Sequence, residues 1–422
     1  MSEKAFLNRL FRQYYREQSA LIPEVSSINQ REFGFFPWER PGMNRHMAFD
    51  TLDALKTYLI DKGPRHVYSS GALYIEPNNL VMDNKKYQGC DLIIDIDVDH
   101  FFTPCKEDHD IWYCVDCTKS GKGMHPIKCP NCSSTRFKSQ AWICEECLEI
   151  AKKSISTLIY DFLIPDFGSK ESELNVAFSG HRGFHIKVEN EKIRTLSSES
   201  RREIVDYLSG NNISFEVLGF RNIGQSMYGL RKDNIGWSQK IVKKIEGILN
   251  QSNHDIQDLL SNIGLSRNKI ESFLNSKDDF LQAISSNQKI WAIEGFGLQT
   301  WHNFLNGIIE GIGVEIDEPV SIDIHRLIRY PGSLHGKSGF KVQELTLKQL
   351  EDFNPFNEKE ENLDPIVFKS DKTSQKLEII EKSLPATKIK DKTFGPYKQG
   401  DIIDVPHHVA VFLLCKEVAK TL

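Results

Sequence analysis

The chain has 422 residues, 40% hydrophobic and 26% charged, enough apolar mass for packed cores in two or three domains. Its net charge of −5 argues against a protein whose only task is to coat nucleic acid, while leaving room for a local basic groove. No apolar run approaches the roughly 20 residues of a membrane helix, and the opening MSEKAFLNRLFRQYYREQ lacks a signal-peptide core, so the expectation is a cytoplasmic protein with no membrane contact.

The first stretch that carries chemistry is DLIIDIDVDHF at 91 to 101. Leu92, Ile94, Ile96 and Val98 fall on one side of a strand, and Asp91, Asp95, Asp97 and Asp99 do not join them. Carboxylates at i and i+2 repel and raise each other's pKa. A divalent cation between them removes that penalty, and magnesium or manganese keeps positions open for phosphate oxygens.

A cysteine block follows. Cys105 and His109 precede three CxxC pairs: Cys114 and Cys117, Cys129 and Cys132, Cys144 and Cys147. Eight soft ligands suit two tetrahedral zinc ions, and in a reducing compartment the pattern reads as metal rather than disulfide. The simplest nesting places Cys114, Cys117, Cys129 and Cys132 as a ribbon inside an outer site of Cys105, His109, Cys144 and Cys147; sequential pairing is the rival. Cys90 and Cys415 read as packing residues, and His125 as a loop histidine.

Beyond Cys147, LEIAKKSISTLIYDFLIPDF has helical spacing up to Pro165, and NVAFSGHRGFHIKVEN reads as strand, turn, strand. The two glycines of that turn let backbone approach a ligand, and Ser179, His181, Arg182 and His185 offer donors suited to a triphosphate. Residues 195 to 310 turn polar and helical in period and read as a helical insertion. From 312 a strand signal returns in IGVEIDEPVSIDIHRLIRYPGSLHGKSGFKVQEL, which gathers Arg, His and Lys beside a Pro-Gly turn, preceded by Asp317 and Asp323. The last segment, from FGPYKQGD, reads as a loop and one amphipathic helix. Together the carboxylates and basic loops suggest nucleotidyl transfer with two metals.

In order along nearly the whole chain, REF at 31 to 33, the stretch around Arg45, VYSSGALY, IIDIDVD, SGHRGFH, DEPVSIDIHRLIRYPGSLHGKSG, NPF at 354 to 356 and the closing GPYKQGD resemble the small catalytic subunit of the archaeal and eukaryotic DNA primase, the archaeal form most of all. The resemblance implies an α/β (α+β) catalytic core of mixed sheets flanked by helices, formed by 1–104, 148–194 and 311–385, with a zinc-binding module at 105–147, the helical insertion at 195–310 and a C-terminal tail at 386–422. It implies that Asp95, Asp97 and Asp317 bind magnesium or manganese; Asp317 is preferred to Asp323 because it stands eighteen residues before His335. Asp91 and Asp99 would be bystanders. Ser179, His181, Arg182, His185, Arg329, His335 and Lys337 would contact the triphosphate. The outer Cys105, His109, Cys144 and Cys147 match the family's zinc order, whereas the inner ribbon departs from it, and a second zinc is expected there.

The implied activity is synthesis of short RNA primers, and of DNA if deoxynucleotides are accepted, on single-stranded DNA from nucleoside triphosphates. The implied partner is the primase large subunit with its iron–sulfur domain; Cys90 and Cys415 are too few to hold such a cluster here. Two other readings are a gap-filling repair polymerase on the same core and a zinc-ribbon nucleic-acid binder with a silent core. The implied setting is the nucleoid of an archaeal-type cell.

Overall fold

Leu7, Leu10, Phe11, Tyr14 and Tyr15 give helix α1 (Glu3–Glu17) one buried face, and the Ser2 hydroxyl caps its first turn by accepting the Ala5 N–H at 3.3 Å. The computed structural model describes residues 2–224, 226–370 and 373–422. The chain forms two compact units, one of residues 1–156, 170–202 and 316–422, the other of 157–169 and 203–315. Among the described residues, no helix is long and apolar enough to cross a membrane.

The fold is mixed α/β. The strands of the first unit that matter for the site are β1 (Phe33–Phe36), β2 (Asn44–Met47), β3 (His66–Ser70), β4 (Leu92–Asp97), β5 (Ile111–Cys114), β6 (Ser120–Lys122), β7 (Phe137–Gln140), β8 (Leu174–Phe178), β9 (Gly183–Val188), β10 (Leu327–Arg329) and β11 (Gln343–Leu345). They make three antiparallel sheets, ordered β10-β3-β1-β2, β11-β8-β9-β4 and β6-β5-β7. In the second sheet the expected hairpin is present, with Phe178 opposite Phe184, and β9 then pairs with β4 so that His185 faces Asp95 and Gly183 faces Asp97.

Leu92, Ile94 and Ile96 are buried on one face of β4, as the alternation requires. On the other face, Ile93 packs with Val320 and Ile328. That contact sets a one-turn helix, Glu318–Ile322, against the carboxylate row. The strand reading of residues 312 to 322 is thereby corrected: Pro319, at the start of this helix, suits a first turn that needs no N–H from it.

The second unit holds a π-helical turn, Leu158–Leu163, and helices Trp237–Leu249, Asn253–Asn262, Arg267–Asn275, Lys277–Ser285 and Leu298–Glu310. Its core is aromatic, with Phe273, Phe280, Trp291, Trp301 and Phe304 in contact. It also carries a small sheet of Arg221–Ile223, Ser226–Tyr228 and Ile290–Trp291, which the helical period of the sequence did not signal.

The C-terminal helix α2 (His407–Cys415) is buried on every side from Val409 to Cys415, not amphipathic. An unbroken apolar run is the mark of a buried element, and here it packs against a sheet of Ile402–Pro406, Ser374–Ile379 and Ala419–Thr421 and against α1, Trp142 and Phe340.

Candidate active site and metal centres

Asp95 and Asp97 share the face of β4 that carries Ile93, and the backbone N–H of Asp317 donates to the Asp95 carbonyl at 2.9 Å. Burial, then the Asp97 and Asp317 carboxylates, raise the pKa of Asp95 against the pull of Arg329 and Arg326. Burial, then Asp99, raise that of Asp97. Asp323 is engaged elsewhere, accepting the His325 N–H at 2.9 Å. The Asp97 and Asp317 carboxylates thus lie within electrostatic reach of Asp95, and the grouping is repulsive without a cation.

The donor set fits a divalent cation: hard oxygens, like-charged, with the buried Nδ1 of His185 left without a partner beside Asp95. A carboxyl whose folded pKa is raised stabilises the fold at low pH and loses that contribution as pH rises through the raised value. A cation reverses the penalty. We therefore expect manganese to raise the melting temperature more at slightly alkaline than at slightly acidic pH, measured by calorimetry on the full chain.

The other two aspartates of the row are occupied. Asp91 is wholly buried and accepts from Arg31 at 2.7 Å and Arg194 at 2.6 Å. Asp99 is ion-paired with Arg182. Arg31 comes from the REF stretch, and its neighbour Glu32 pairs with Arg45 at 2.8 Å and Lys85 at 3.2 Å. These buried pairs bind β1 to its surroundings; losing one partner would strand a charge.

The turn joining β8 to β9 packs against the third motif. Gly180 has φ +81°, and a Cβ there would come within 2.7 Å of the His335 Cβ; a Cβ on Gly183 would overlap the Ile96 carbonyl. These glycines let protein approach protein, rather than ligand as the sequence suggested. The His181 ring stacks on His335 with centroids 5.0 Å apart, and His335 meets His66 edge-on at 4.9 Å. His66 Nδ1 lies 2.8 Å from Arg329 Nη1 and accepts the Gly336 N–H at 3.2 Å. Burial, reinforced by the surrounding cations, holds His66, His181 and His335 well below the usual histidine range, and His185 at about 3. All four are neutral at physiological pH, so they act by hydrogen bonding, and positive charge must come from Arg and Lys. Ser179 is buried in the same turn, and Lys337 is exposed beside it. The turn of the third motif is held by α1: Tyr14 donates to the Gly332 carbonyl at 2.8 Å, and the Leu334 N–H donates to Tyr15 at 3.1 Å.

Arg182 is not free. It is 2% exposed, paired with Asp99, and donates to both oxygens of Asp110 at 2.9 and 2.8 Å and to the Trp142 carbonyl at 2.9 Å. Asp110 in turn lies 2.8 Å from His109 Nδ1, and these partners hold its carboxyl down to about 2 despite burial. That carboxylate orients the histidine so that Nε2 faces Cys147 Sγ at 3.4 Å.

The soft ligands fall into the nested sets, Cys105, His109, Cys144 and Cys147, and Cys114, Cys117, Cys129 and Cys132, each with donor atoms within 4.8 Å of one another. The Cys105–Cys147, Cys114–Cys132 and Cys117–Cys129 sulfurs are 3.3, 3.5 and 3.6 Å apart. Sulfurs around zinc stand about 3.8 Å apart if each bond is about 2.3 Å, so both sets fit zinc. Elemental analysis should give about two zinc per chain, falling to about one in Cys114→Ser/Cys117→Ser; two in that variant would refute the inner site. His125 stacks on Phe137 at 4.8 Å, outside both sets.

Sequence reasoning missed His66, Asp110 and Lys416, whose Nζ lies 2.8 Å from His181 Nε2. None sits in a motif; each reaches the site by tertiary contact.

A family profile described as DNA primase small subunit matches residues 128–347. Among curated proteins, DNA primase small subunit PriS of Methanothrix thermoacetophila is 31% identical, with 98% of each chain covered. That of Methanocella arvoryzae is 32% identical over 98% of this chain and 97% of its own. That of Nitrosopumilus maritimus is 29% identical, again over 98% and 97%.

Proposed function

This chain belongs to the DNA primase small subunit family, and from that premise we propose that it is the catalytic subunit of a DNA primase, making short primers from nucleoside triphosphates on single-stranded DNA. The observation that carries the reading is the electrostatic grouping of Asp95, Asp97 and Asp317 beside the turn of His181 and His335.

Asp95, Asp97 and Asp317 would hold magnesium or manganese. When bound, these ions supply an activated 3′-hydroxyl and neutralise charge on the leaving pyrophosphate. The chain's own residues do the positioning. Arg329 and Lys337 bring positive charge to the triphosphate. Neutral His181, His185 and His335, with Ser179, offer hydrogen bonds that fix its orientation. Arg182 acts one step back, by holding Asp99 and Asp110 and so the turn itself. The two cysteine sets would hold zinc in a structural role, each with four protein ligands. The large primase subunit is the partner, and the nucleoid in the cytoplasm is the place of work.

The test sets primed and unprimed single-stranded templates side by side. Product from both supports the reading; extension of the primed template alone, even with the large subunit present, would assign a gap-filling polymerase instead.

A further inference from the structure

The inner ribbon, carried by β5, β6 and β7, contributes nothing to the carboxylate row or the basic loops. Between Cys117 and Cys144 the sequence holds five cations, Lys119, Lys122, Lys128, Arg136 and Lys138, and no carboxylate. All five are exposed. Among the described residues, only Arg136 of the five has a carboxylate partner, Asp116. Zinc held by four thiolates would carry a charge of about −2, so the ribbon stays net positive on a chain whose charge is −5.

The same ribbon presents an open aromatic ring. Phe137 lies opposite Cys114 on one flank of β5, and Lys119 lies opposite it on the other, its carbonyl accepting the Cys114 N–H at 2.7 Å; cross-strand partners share a face of the sheet. The His125 ring lies flat on Phe137, with centroids 4.8 Å and planes 12° apart, and Phe137 meets Trp112 edge-on at 5.5 Å. Trp112 is held by β6, since a Cβ on Gly121 would come within 2.5 Å of its ring. The two inner rings are thus anchored, while His125 is exposed and turns its outer face to solvent. Beside it Met124 and Ile127 are also exposed, Ile127 at 89%. A ring backed by an anchored stack and bordered by unpaired lysines fits an unpaired base and its phosphates. A duplex covers its base faces, and an acidic peptide would leave the open ring unused.

We propose that the inner ribbon is a binding surface for single-stranded DNA, with His125 as the stacking platform and Lys119 and Lys128 as phosphate contacts. On the primase reading that strand is the unpaired template; the binding itself does not rest on that reading.

The test is fluorescence anisotropy of the full chain with labelled oligothymidylate across a salt series. His125→Ala should weaken binding about tenfold with the salt slope unchanged, and His125→Phe should restore it. Lys119→Gln/Lys128→Gln should lower the slope of log affinity against log salt by about 1.4, the share of two phosphates on a single strand. The three side chains are exposed and outside both ligand sets, so zinc content stays that of the wild type. Wild-type affinity in His125→Ala together with a wild-type slope in the lysine variant would overturn the surface. So would unchanged DNA binding with weakened binding of the large subunit, which would assign a protein partner. The expected pattern in a chain that polymerises nothing would keep the surface and defeat the primase reading; polymerisation with unaltered DNA binding in every variant would do the reverse.

Discussion

Asp95→Asn/Asp97→Asn is expected to abolish nucleotide incorporation while raising the melting temperature of the metal-free chain. The two carboxylates sit on a half-buried face of β4, where burial raises both pKa values, reinforced at Asp95 by the Asp97 and Asp317 charges and at Asp97 by the Asp99 charge. Asparagine removes the charge and keeps the shape, so the repulsion disappears. Each kcal/mol relieved is worth roughly 2–4 °C. The same change removes the anionic ligands a divalent cation needs, a loss of several kcal/mol of transition-state stabilisation, or a rate fall of at least about 10³. A variant that loses both activity and stability would place these residues in the scaffold. One that gains stability and keeps activity would remove them from the chemistry.

The second large effect lies at Arg182. Its truncation strands Asp110, which is buried and held at about 2, together with Asp99. Removing one partner of a buried pair costs about 3–5 kcal/mol. Arg182→Ala should therefore melt well below the wild type without any nucleotide present, and should release zinc to a chelator faster, because Asp110 also orients His109. The carboxyl of Asp110 has a lowered pKa, so its contribution to stability is present above the ordinary aspartate value and fades as pH falls towards about 2. The destabilisation should accordingly be full at neutral pH and shrink in acid. An unchanged melting point with a raised KM would instead make Arg182 a free triphosphate ligand.

What could be read from the sequence was what repeats at short range. Alternation in IIDIDVD marks the strand and its carboxylate face, and CxxC spacing marks the metal sets, because both signals lie within a few residues of each other. Asp317 could be chosen only through resemblance; physically it arrives because Val320 packs on Ile93. The engagement of Arg182 with Asp110 spans 72 residues, and that of Lys416 with His181 spans 235, so no local pattern reports them. The glycines of SGHRGFH were legible as close-approach residues, yet what they approach is the third motif and β4, which depends on sheet register. The helix at 407 to 415 has no wet face, because a sheet, α1, Trp142 and Phe340 all pack on it, contacts that its own apolar run does not report.

The most direct test of a self-starting polymerase is transfer of label from the γ-phosphate of a nucleoside triphosphate into product on an unprimed single-stranded template. Only the first nucleotide of a new chain keeps that phosphate; every later addition loses it with pyrophosphate. The purified chain, alone and mixed with its large partner subunit, is set beside Asp95→Asn/Asp97→Asn. Labelled oligonucleotides from the wild type and none from the variant are the predicted result. No labelled oligonucleotide in either wild-type mixture, or equal amounts from the variant, would contradict the account.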